Sequence, residues 1–150
     1  MKNPTHTRLV EDWYRSLKTV DLALFQAVHD PDCIYNVSGH SPISGQCDFA
    51  TLMRDVLPQV FGRLDIAKFQ FAKKHKIVCQ DEHRVVGMME ADGPGTNGKR
   101  YDQRYMHMFE FRGDKISQVW EFFDTELAKG VLFYDPENSK TAGKMAPFDF

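Results

Sequence analysis

Hydrophobic residues in the amino-terminal part of the chain recur every three or four positions, which is the spacing of a helix with one buried face. The first such stretch predicts a helix over about 5–19, and Asn3 and Pro4 suit its start. A second, short helix is predicted after Asp21, and a third over about 48–61. Each helix carries an apolar stripe, so we expect all three to pack on one core.

After Gly62 apolar residues alternate with polar ones, which is typical of strands. The predicted strands cover about 33–37, 64–78, 84–91, 100–111 and 115–123. Short turns separate the last three, which predicts an antiparallel meander, and a short helix at about 125–133 follows. Helices followed by long strands indicate a segregated α+β domain with a curved antiparallel sheet, rather than an alternating parallel fold.

The length and charge of the chain narrow the possible partners. A chain of 150 residues predicts a single domain. Lys and Arg total 19 against 21 Asp and Glu, so the formal net charge is -2 and there is no basic excess to hold a phosphate backbone. We therefore expect no nucleic-acid partner.

Several other features are missing from the sequence. The first residues lack the apolar core of a secretory signal, and no stretch approaches the roughly 18 apolar residues of a spanning helix, so we expect a cytoplasmic protein without a membrane partner. Cys33, Cys47 and Cys79 have no paired spacing, which argues against a disulfide framework and a structural zinc site. With no glycine-rich phosphate loop or metal-spaced histidine cluster, the sequence predicts no cofactor and no metal.

The carboxy-terminal half carries a recognisable order of motifs. Gly98 and Tyr101 open an aromatic-rich strand, a Gly-Asp-Lys-Ile turn follows at 113–116, and an acidic-aromatic-aromatic-Asp-Thr segment closes it at 121–125. This order and spacing resemble SnoaL-like proteins, which are members of the NTF2-like superfamily. The resemblance covers about residues 8–133 and leaves a tail from about 134 to 150.

The resemblance implies a cone in which the concave sheet face and the amino-terminal helices enclose one apolar pocket for a small ligand. It also implies a homodimer that pairs through the other sheet face. The superfamily includes ketosteroid isomerases, polyketide cyclases, epoxide hydrolases, dehydratases and binding modules. Fold alone does not choose among these functions.

Strand alternation at 100–111 predicts which side chains face the pocket. The odd positions are mostly aromatic, whereas Met106 and Met108 lie among charges on the even face and predict a dimer surface. An imidazole on an apolar wall donates hydrogen bonds or carries protons near neutral pH, so His107 is the first catalytic candidate. The alternative is a buried histidine bonded to a tyrosine or a backbone carbonyl. Tyr105, on the same face, would orient His107 or a ligand.

Two carboxylates enter through the resemblance. Glu121 occupies the place where relatives use an aspartate as acid or base, and Glu90 aligns with a second carboxylate of epoxide hydrolases. Two carboxylates facing one dry cavity take different protonation states, as acid and base roles require. The arginine expected two residues before Glu90 is Met88, which argues against epoxide hydrolysis. A solvated or interfacial carboxylate is the alternative for both glutamates.

The resemblance also argues against ketosteroid isomerisation, because the expected tyrosine and general-base aspartate fall at Trp13 and Asn36. Trp13 is expected to be buried and Tyr14 to lie at the rim of the pocket, with Tyr35 and Asn36 near its mouth. The predicted substrate-binding residues are Trp13, Tyr14, Tyr35, Asn36, Tyr105 and Trp120.

The leading hypothesis is a cofactor-independent cyclase, isomerase or dehydratase that applies acid-base chemistry to an apolar carbonyl compound of polyketide, steroid or terpenoid type. The alternative is a non-catalytic ligand-binding or dimeric scaffold module with the same pocket. An enzyme should present at least two titratable groups to a common empty volume, whereas a binding module needs only aromatic side chains and one polar anchor.

Overall fold

Six strands and five α-helices make up the described part of this computed structural model, residues 1–137, 139 and 145–150. The helices are α1 (Pro4–Thr19), α2 (Leu22–Val28), α3 (Phe49–Thr51), α4 (Leu57–Phe61) and α5 (Thr125–Val131), with a π-helical turn (Leu52–Val56) between α3 and α4. The strands are β1 (His29–Val37), β2 (Gly45–Asp48), β3 (Gln70–Gln80), β4 (Arg84–Asp92), β5 (Arg104–Arg112) and β6 (Lys115–Phe123). The predicted α+β class is confirmed, and the predicted tail lies partly outside the described residues. No helix in this described part is long and apolar enough to cross a membrane.

Side-chain caps explain where the helices begin. The side-chain oxygen of Asn3 accepts a hydrogen bond from the backbone N–H of Thr5 at 3.0 Å, and that of Asp21 accepts one from Leu24 at 2.9 Å. Asp48 caps α3 in the same way. These bonds satisfy N–H groups that a helix leaves without a partner in its first turn. The helix starts predicted from the sequence are therefore confirmed.

The sheet has the strand order β2-β1-β6-β5-β4-β3. All neighbouring strands are antiparallel except β1 and β6, which run parallel, so the sheet is mixed rather than wholly antiparallel. The chain leaves β1 and passes through all the other strands before β6 returns beside it, and such a long connection permits parallel neighbours. The predicted meander of β4, β5 and β6 is confirmed.

Four strands differ from the prediction. β1 begins at His29 rather than at about 33, and β5 begins at Arg104 rather than at about 100. β2 lies where the sequence predicts no strand, because its four residues show no apolar alternation, yet it pairs with 34–37 of β1. β3 begins at Gln70 rather than at about 64, because the chain first forms turns in which Leu64 bridges to Gly95.

The sheet has an inner face, which contacts the helices, and an opposite outer face. On β5 the inner face carries Tyr105, His107 and Phe109, which are all buried, whereas Met106 on the outer face is 43% exposed. The alternation predicted for this strand is confirmed. The helices and the inner face therefore enclose the core, and the outer face is exposed to solvent around Met106.

The last six residues, 145–150, cover one side of the outer face. The backbone N–H of Gln46 in β2 donates to this segment at 2.8 Å, and the indole N–H of Trp120 donates to the Asp149 carbonyl at 2.8 Å. The rings of Phe122 and Phe148 lie 5.5 Å apart. The segment thus protects the β2 edge and buries Trp120.

A buried chain of hydrogen bonds ties β1 to the helices α1 and α2. The indole N–H of Trp13 donates to the Tyr35 hydroxyl at 3.1 Å, and this hydroxyl donates to Nε2 of His29 at 2.6 Å. Nδ1–H of His29 donates to the Phe25 carbonyl at 2.5 Å. Burial lowers the pKa of His29 to about 4, and the bond to Phe25 only partly opposes this, so the imidazole is neutral in the folded protein.

The His29 pKa makes a prediction about stability and pH. His29 binds a proton at a pH of about 6.5 in the unfolded chain but only at about 4 in the folded chain. The contribution of the neutral imidazole to stability is therefore fully present above pH 6.5 and is lost as the pH falls towards 4. We expect this residue to lower the free energy of unfolding by about 3 kcal/mol between pH 7 and pH 4. The measurement is the free energy of unfolding from chemical denaturation at several pH values in this range. Between pH 7 and pH 4 it should fall by about 3 kcal/mol less in His29→Gln than in the wild type. Exposed His40 is the control, because His40→Gln should leave the wild-type dependence unchanged.

Candidate active site

An apolar cavity lies between the inner face of the sheet and the helices. Its aromatic wall consists of Trp13, Phe25, Tyr35, Tyr101, Tyr105 and Phe123. The opposite wall comes from the helical stretch at 49–61 and consists of Leu52, Val56, Leu57, Val60 and Phe61. The empty space between the wall atoms is about 690 Å³, which includes the part that is open to solvent. The volume in which the centre of a water molecule can lie is much smaller, about 70 Å³. Only a small part of the cavity is therefore open to a water-sized molecule.

Glu121 is the one charged residue among the described residues that line this cavity. Its side chain is 19% exposed. Its carboxylate has a single hydrogen-bond partner in the described part of the chain, His107, whose Nε2 lies 3.1 Å from Oε2. The second carboxylate oxygen, Oε1, is therefore free to meet a ligand.

His107 lies behind the cavity wall and connects Glu121 to Tyr14. The imidazole is fully buried, and its Nδ1 lies 3.3 Å from the Tyr14 hydroxyl. Burial raises the pKa of Tyr14 above its usual range, and the charges of Glu11 and Glu121 raise it further. Tyr14 therefore keeps its proton, and a chain of three polar side chains runs from α1 through β5 to the cavity.

A pair of tyrosines supplies further polar atoms to the wall. The hydroxyls of Tyr101 and Tyr105 lie 3.2 Å apart. Burial raises the pKa of Tyr101 to about 12 and that of Tyr105 well above its usual value, so both hydroxyls remain protonated. One of them donates to the other, and the side chain of Tyr101 is also in hydrogen-bond contact with that of Gln103.

Four of the predicted site residues line the cavity, namely Trp13, Tyr35, Tyr105 and Glu121. His107 is in reach of Glu121 but does not itself line the wall. Tyr14 is fully buried rather than at the rim as expected, because its hydroxyl is directed inwards to His107.

The expected positions of Glu90, Asn36 and Trp120 in the pocket are wrong. Side chains alternate across a strand, so each lies opposite an inward-facing neighbour, and all three are on the outer face. Glu90 forms an ion pair with Arg104 at 3.2 Å. The Asn36 side-chain oxygen accepts a hydrogen bond from Gln46 at 2.8 Å, and Trp120 lies under the last residues of the chain.

Sequence reasoning missed two residues that complete the site, Tyr101 and Gly87. Tyr101 lies on the face predicted to line the cavity, and its hydroxyl contact with Tyr105 depends on a bend of the chain that alternation does not describe. Gly87 stands opposite His107 in the pairing of β4 with β5. A lone glycine inside a strand pattern signals a close approach of another group, and that signal was present in the sequence.

Among the described residues, no group of three or more His, Cys, Asp and Glu side chains is arranged to hold a metal ion. The polar groups of the cavity are instead one carboxylate and a few hydroxyls. Such a set can transfer protons and donate hydrogen bonds to a ligand oxygen.

Solved structures with the same fold include proteins of low sequence identity. An NTF2-like protein from Burkholderia xenovorans is 17% identical with a TM-score of 0.69, and the match covers 88% of this chain and 98% of that one. An isomerase candidate from Bacillus subtilis is 11% identical with a TM-score of 0.71, covering 87% and 94%. TerC, co-crystallised with polyporic acid, is 14% identical with a TM-score of 0.72, covering 86% and 98%.

No curated protein matches the chain significantly. The family model of the SnoaL-like domain matches residues 10–119, which is most of the chain. These residues include most of α1, the greater part of the cavity wall and strand β5 with His107, and the match ends before Glu121. The resemblance predicted from the carboxy-terminal motifs is confirmed, and the chain belongs to the SnoaL-like domain family.

Proposed function

We propose that the cavity is the active site of a cofactor-independent enzyme that performs acid-base chemistry on a neutral, largely apolar carbonyl compound. The observation that carries this proposal is the placement of Glu121. Glu121 lines an apolar cavity and has one carboxylate oxygen engaged by His107, so its other oxygen can accept a proton from a bound ligand.

In the proposed reaction, Oε1 of Glu121 removes a proton from a carbon next to the ligand carbonyl. The electron pair of the broken C–H bond moves towards the carbonyl oxygen, where a hydrogen bond from the hydroxyl pair of Tyr101 and Tyr105 would stabilise the developing charge. Glu121 returns the proton to a different carbon in an isomerisation. In a cyclisation, the carbon attacks a second carbonyl and the resulting alkoxide takes the proton.

The cavity also favours a particular class of ligand. Its wall is almost entirely apolar and aromatic, and no lysine or arginine is among the described residues that line it. An anionic ligand would be repelled by Glu121 without a compensating cation. A polyketide-like, steroid-like or terpenoid-like ketone meets these limits, and the structural relative TerC has been co-crystallised with a small molecule, polyporic acid.

The second candidate is a non-catalytic ligand-binding module. One observation favours it: the second predicted carboxylate, Glu90, lies on the outer face, so Glu121 is the single carboxylate among the described residues that line the cavity. A binding module would use Glu121 as the polar anchor for a ligand hydroxyl and would leave the ligand unchanged.

The decisive variant is Glu121→Gln, which keeps the shape of the side chain and removes its ability to accept a proton. We expect it to slow proton removal from bound carbonyl compounds by about 10²-fold or more, the usual contribution of a general base. The measurement is the loss of the NMR signals of hydrogens next to the carbonyl in D₂O, across 1,3-dicarbonyl compounds and unsaturated ketones. It detects proton abstraction whichever product forms.

Glu90→Gln is the matched control, because Glu90 is a glutamate of the same sheet that pairs with Arg104 away from the cavity. It should exchange these hydrogens at the wild-type rate. Equal rates for the wild type and Glu121→Gln would contradict the proposed role of Glu121. Binding of these ligands by the wild type without any exchange would support the binding module instead.

We further propose that two copies of the chain pair through the outer face. Met88, Met106 and Phe122 stand in one row across β4, β5 and β6 and are each 39–45% exposed. Glu90 and Arg104 lie beside this row on neighbouring strands. A two-fold axis through the row would bring the glutamate of one copy towards the arginine of the other, so the surface complements itself.

The pairing predicts an effect of Met106→Glu. Like charges would face each other across the axis, so this variant should be monomeric by light scattering where the wild type is a dimer. Ile66→Glu is the control, because Ile66 is equally exposed but lies in the turn before β3. A monomeric wild type, or a dimeric Met106→Glu variant, would exclude this interface.

A further inference from the structure

The hydroxyl of Tyr14 and the missing side chain of Gly87 meet at the imidazole of His107. Tyr14 comes from α1, Gly87 from β4 and His107 from β5. Neither Tyr14 nor Gly87 is among the residues that line the cavity. We propose that Tyr14 and Gly87 are positioning residues that hold His107 in the tautomer with its proton on Nε2. This inference rests on the proposed function, because it concerns how Glu121 is kept ready to carry a proton.

The direction of the Tyr14 hydrogen bond follows from what surrounds it. The hydroxyl is fully buried, and His107 Nδ1 is its one hydrogen-bond partner among the described residues. If the hydroxyl oxygen accepted a proton from Nδ1, its own hydrogen would be left buried without a partner, which is unfavourable by about 1–3 kcal/mol. The arrangement that satisfies every group has Tyr14 donating to a bare Nδ1, so the imidazole proton is on Nε2.

The ring of Tyr14 is held in place from two sides. On one side it stacks on His75, with ring centroids 4.7 Å apart and planes 18° apart. On another side the indole of Trp13 meets it edge-on at 5.1 Å. His75 is itself bonded to Glu11 of α1 at 2.6 Å. The hydroxyl therefore has a fixed direction before any ligand binds.

Gly87 makes room for this hydroxyl. It is the cross-strand partner of His107, so any side chain at this position would stand where Tyr14 reaches the imidazole. A Cβ atom there would overlap the Tyr14 hydroxyl oxygen and lie 2.9 Å from Cε2 of the ring. Only glycine leaves the Tyr14 ring in its observed position, since both close contacts are with a ring wedged between His75 and Trp13.

The tautomer matters most after Glu121 has taken up a proton. A His107 with a bare Nε2 would accept that proton in a hydrogen bond and keep it from the ligand. With the proton already on Nε2, His107 can only donate to Oε2, so the new proton stays on Oε1 at the cavity side. Tyr14 and Gly87 thereby direct the returning proton to the ligand rather than into the core.

The test uses Glu121→Gln, because the neutral amide removes the bias that a carboxylate imposes on the neighbouring imidazole. Nitrogen-15 NMR of the histidine rings at pH 8, where an ordinary imidazole is neutral, distinguishes a protonated ring nitrogen from a bare one. We expect the wild type and Glu121→Gln to show His107 protonated on Nε2. Adding Tyr14→Phe should shift the tautomer ratio about tenfold towards Nδ1–H, as the loss of one buried hydrogen bond implies.

Two matched controls separate this effect from a general loss of structure. Tyr134→Phe removes the hydroxyl of an exposed tyrosine, and Gly130→Ala adds a methyl group in α5 where no atom lies within 4 Å. Neither should change the His107 signals. In the Glu121→Gln background, Gly87→Ala should shift the His107 tautomer ratio as Tyr14→Phe does. Combining Gly87→Ala with Tyr14→Phe should shift the ratio no further than either change alone.

An unchanged tautomer ratio in the Tyr14→Phe, Glu121→Gln double variant would overturn the role of Tyr14. An unchanged ratio in Gly87→Ala, Glu121→Gln would overturn the role of Gly87, and if that variant does not fold, the Tyr14 comparison decides alone. These signals do not depend on turnover. A failure of the proposed chemistry would appear in the hydrogen-exchange rates of Glu121→Gln, and a failure of this inference would appear in the ring signals.

Discussion

The site depends on one requirement, which is that a completely buried imidazole must have partners for both of its ring nitrogens. His107 stands on β5 inside the sheet with no contact to solvent, and leaving either nitrogen unpaired there would be unfavourable by about 1–3 kcal/mol. Tyr14 meets this need from α1 and Glu121 meets it from β6. The crossing of α1 over the sheet is therefore set by a polar contact as well as by apolar packing.

A second buried series of hydrogen bonds likewise pairs polar atoms next to the cavity. His29 connects β1 to the end of α2, and Tyr35 connects His29 to Trp13 of α1. The Tyr35 hydroxyl both accepts and donates within this chain, so it contributes an immobile ring to the cavity wall rather than a free donor. With these polar atoms paired among themselves, Glu121 and the hydroxyls of Tyr101 and Tyr105 are the other polar groups that the described residues bring to the cavity wall.

The amino-acid pattern was sufficient for the α+β class, the helix starts, the meander and the inward face of β5, because these follow from local spacing and capping. It was insufficient where the partner is distant in sequence. The parallel pairing of β1 with β6 and the short strand β2 exist only through the other strands. The site was predicted in part, since Glu121, Trp13, Tyr35 and Tyr105 line one cavity. Strand alternation decides between neighbouring residues, since Glu121 lines the cavity whereas Trp120 beside it lies on the outer face.

Glu121, the one carboxylate that the described residues bring to the cavity wall, bears on the choice between a binding protein and an enzyme. A neutral apolar ligand is held by aromatic walls, and a carboxylate among them adds a desolvation penalty that binding does not need. Here that penalty is offset by His107, which requires in turn the buried hydroxyl of Tyr14 and the bare backbone of Gly87. A polar anchor for a hydroxyl could be supplied by one uncharged side chain without this support. The proposed proton transfer requires a carboxylate that is charged in one state and neutral in the next, and the three-element arrangement behind Glu121 fits that requirement.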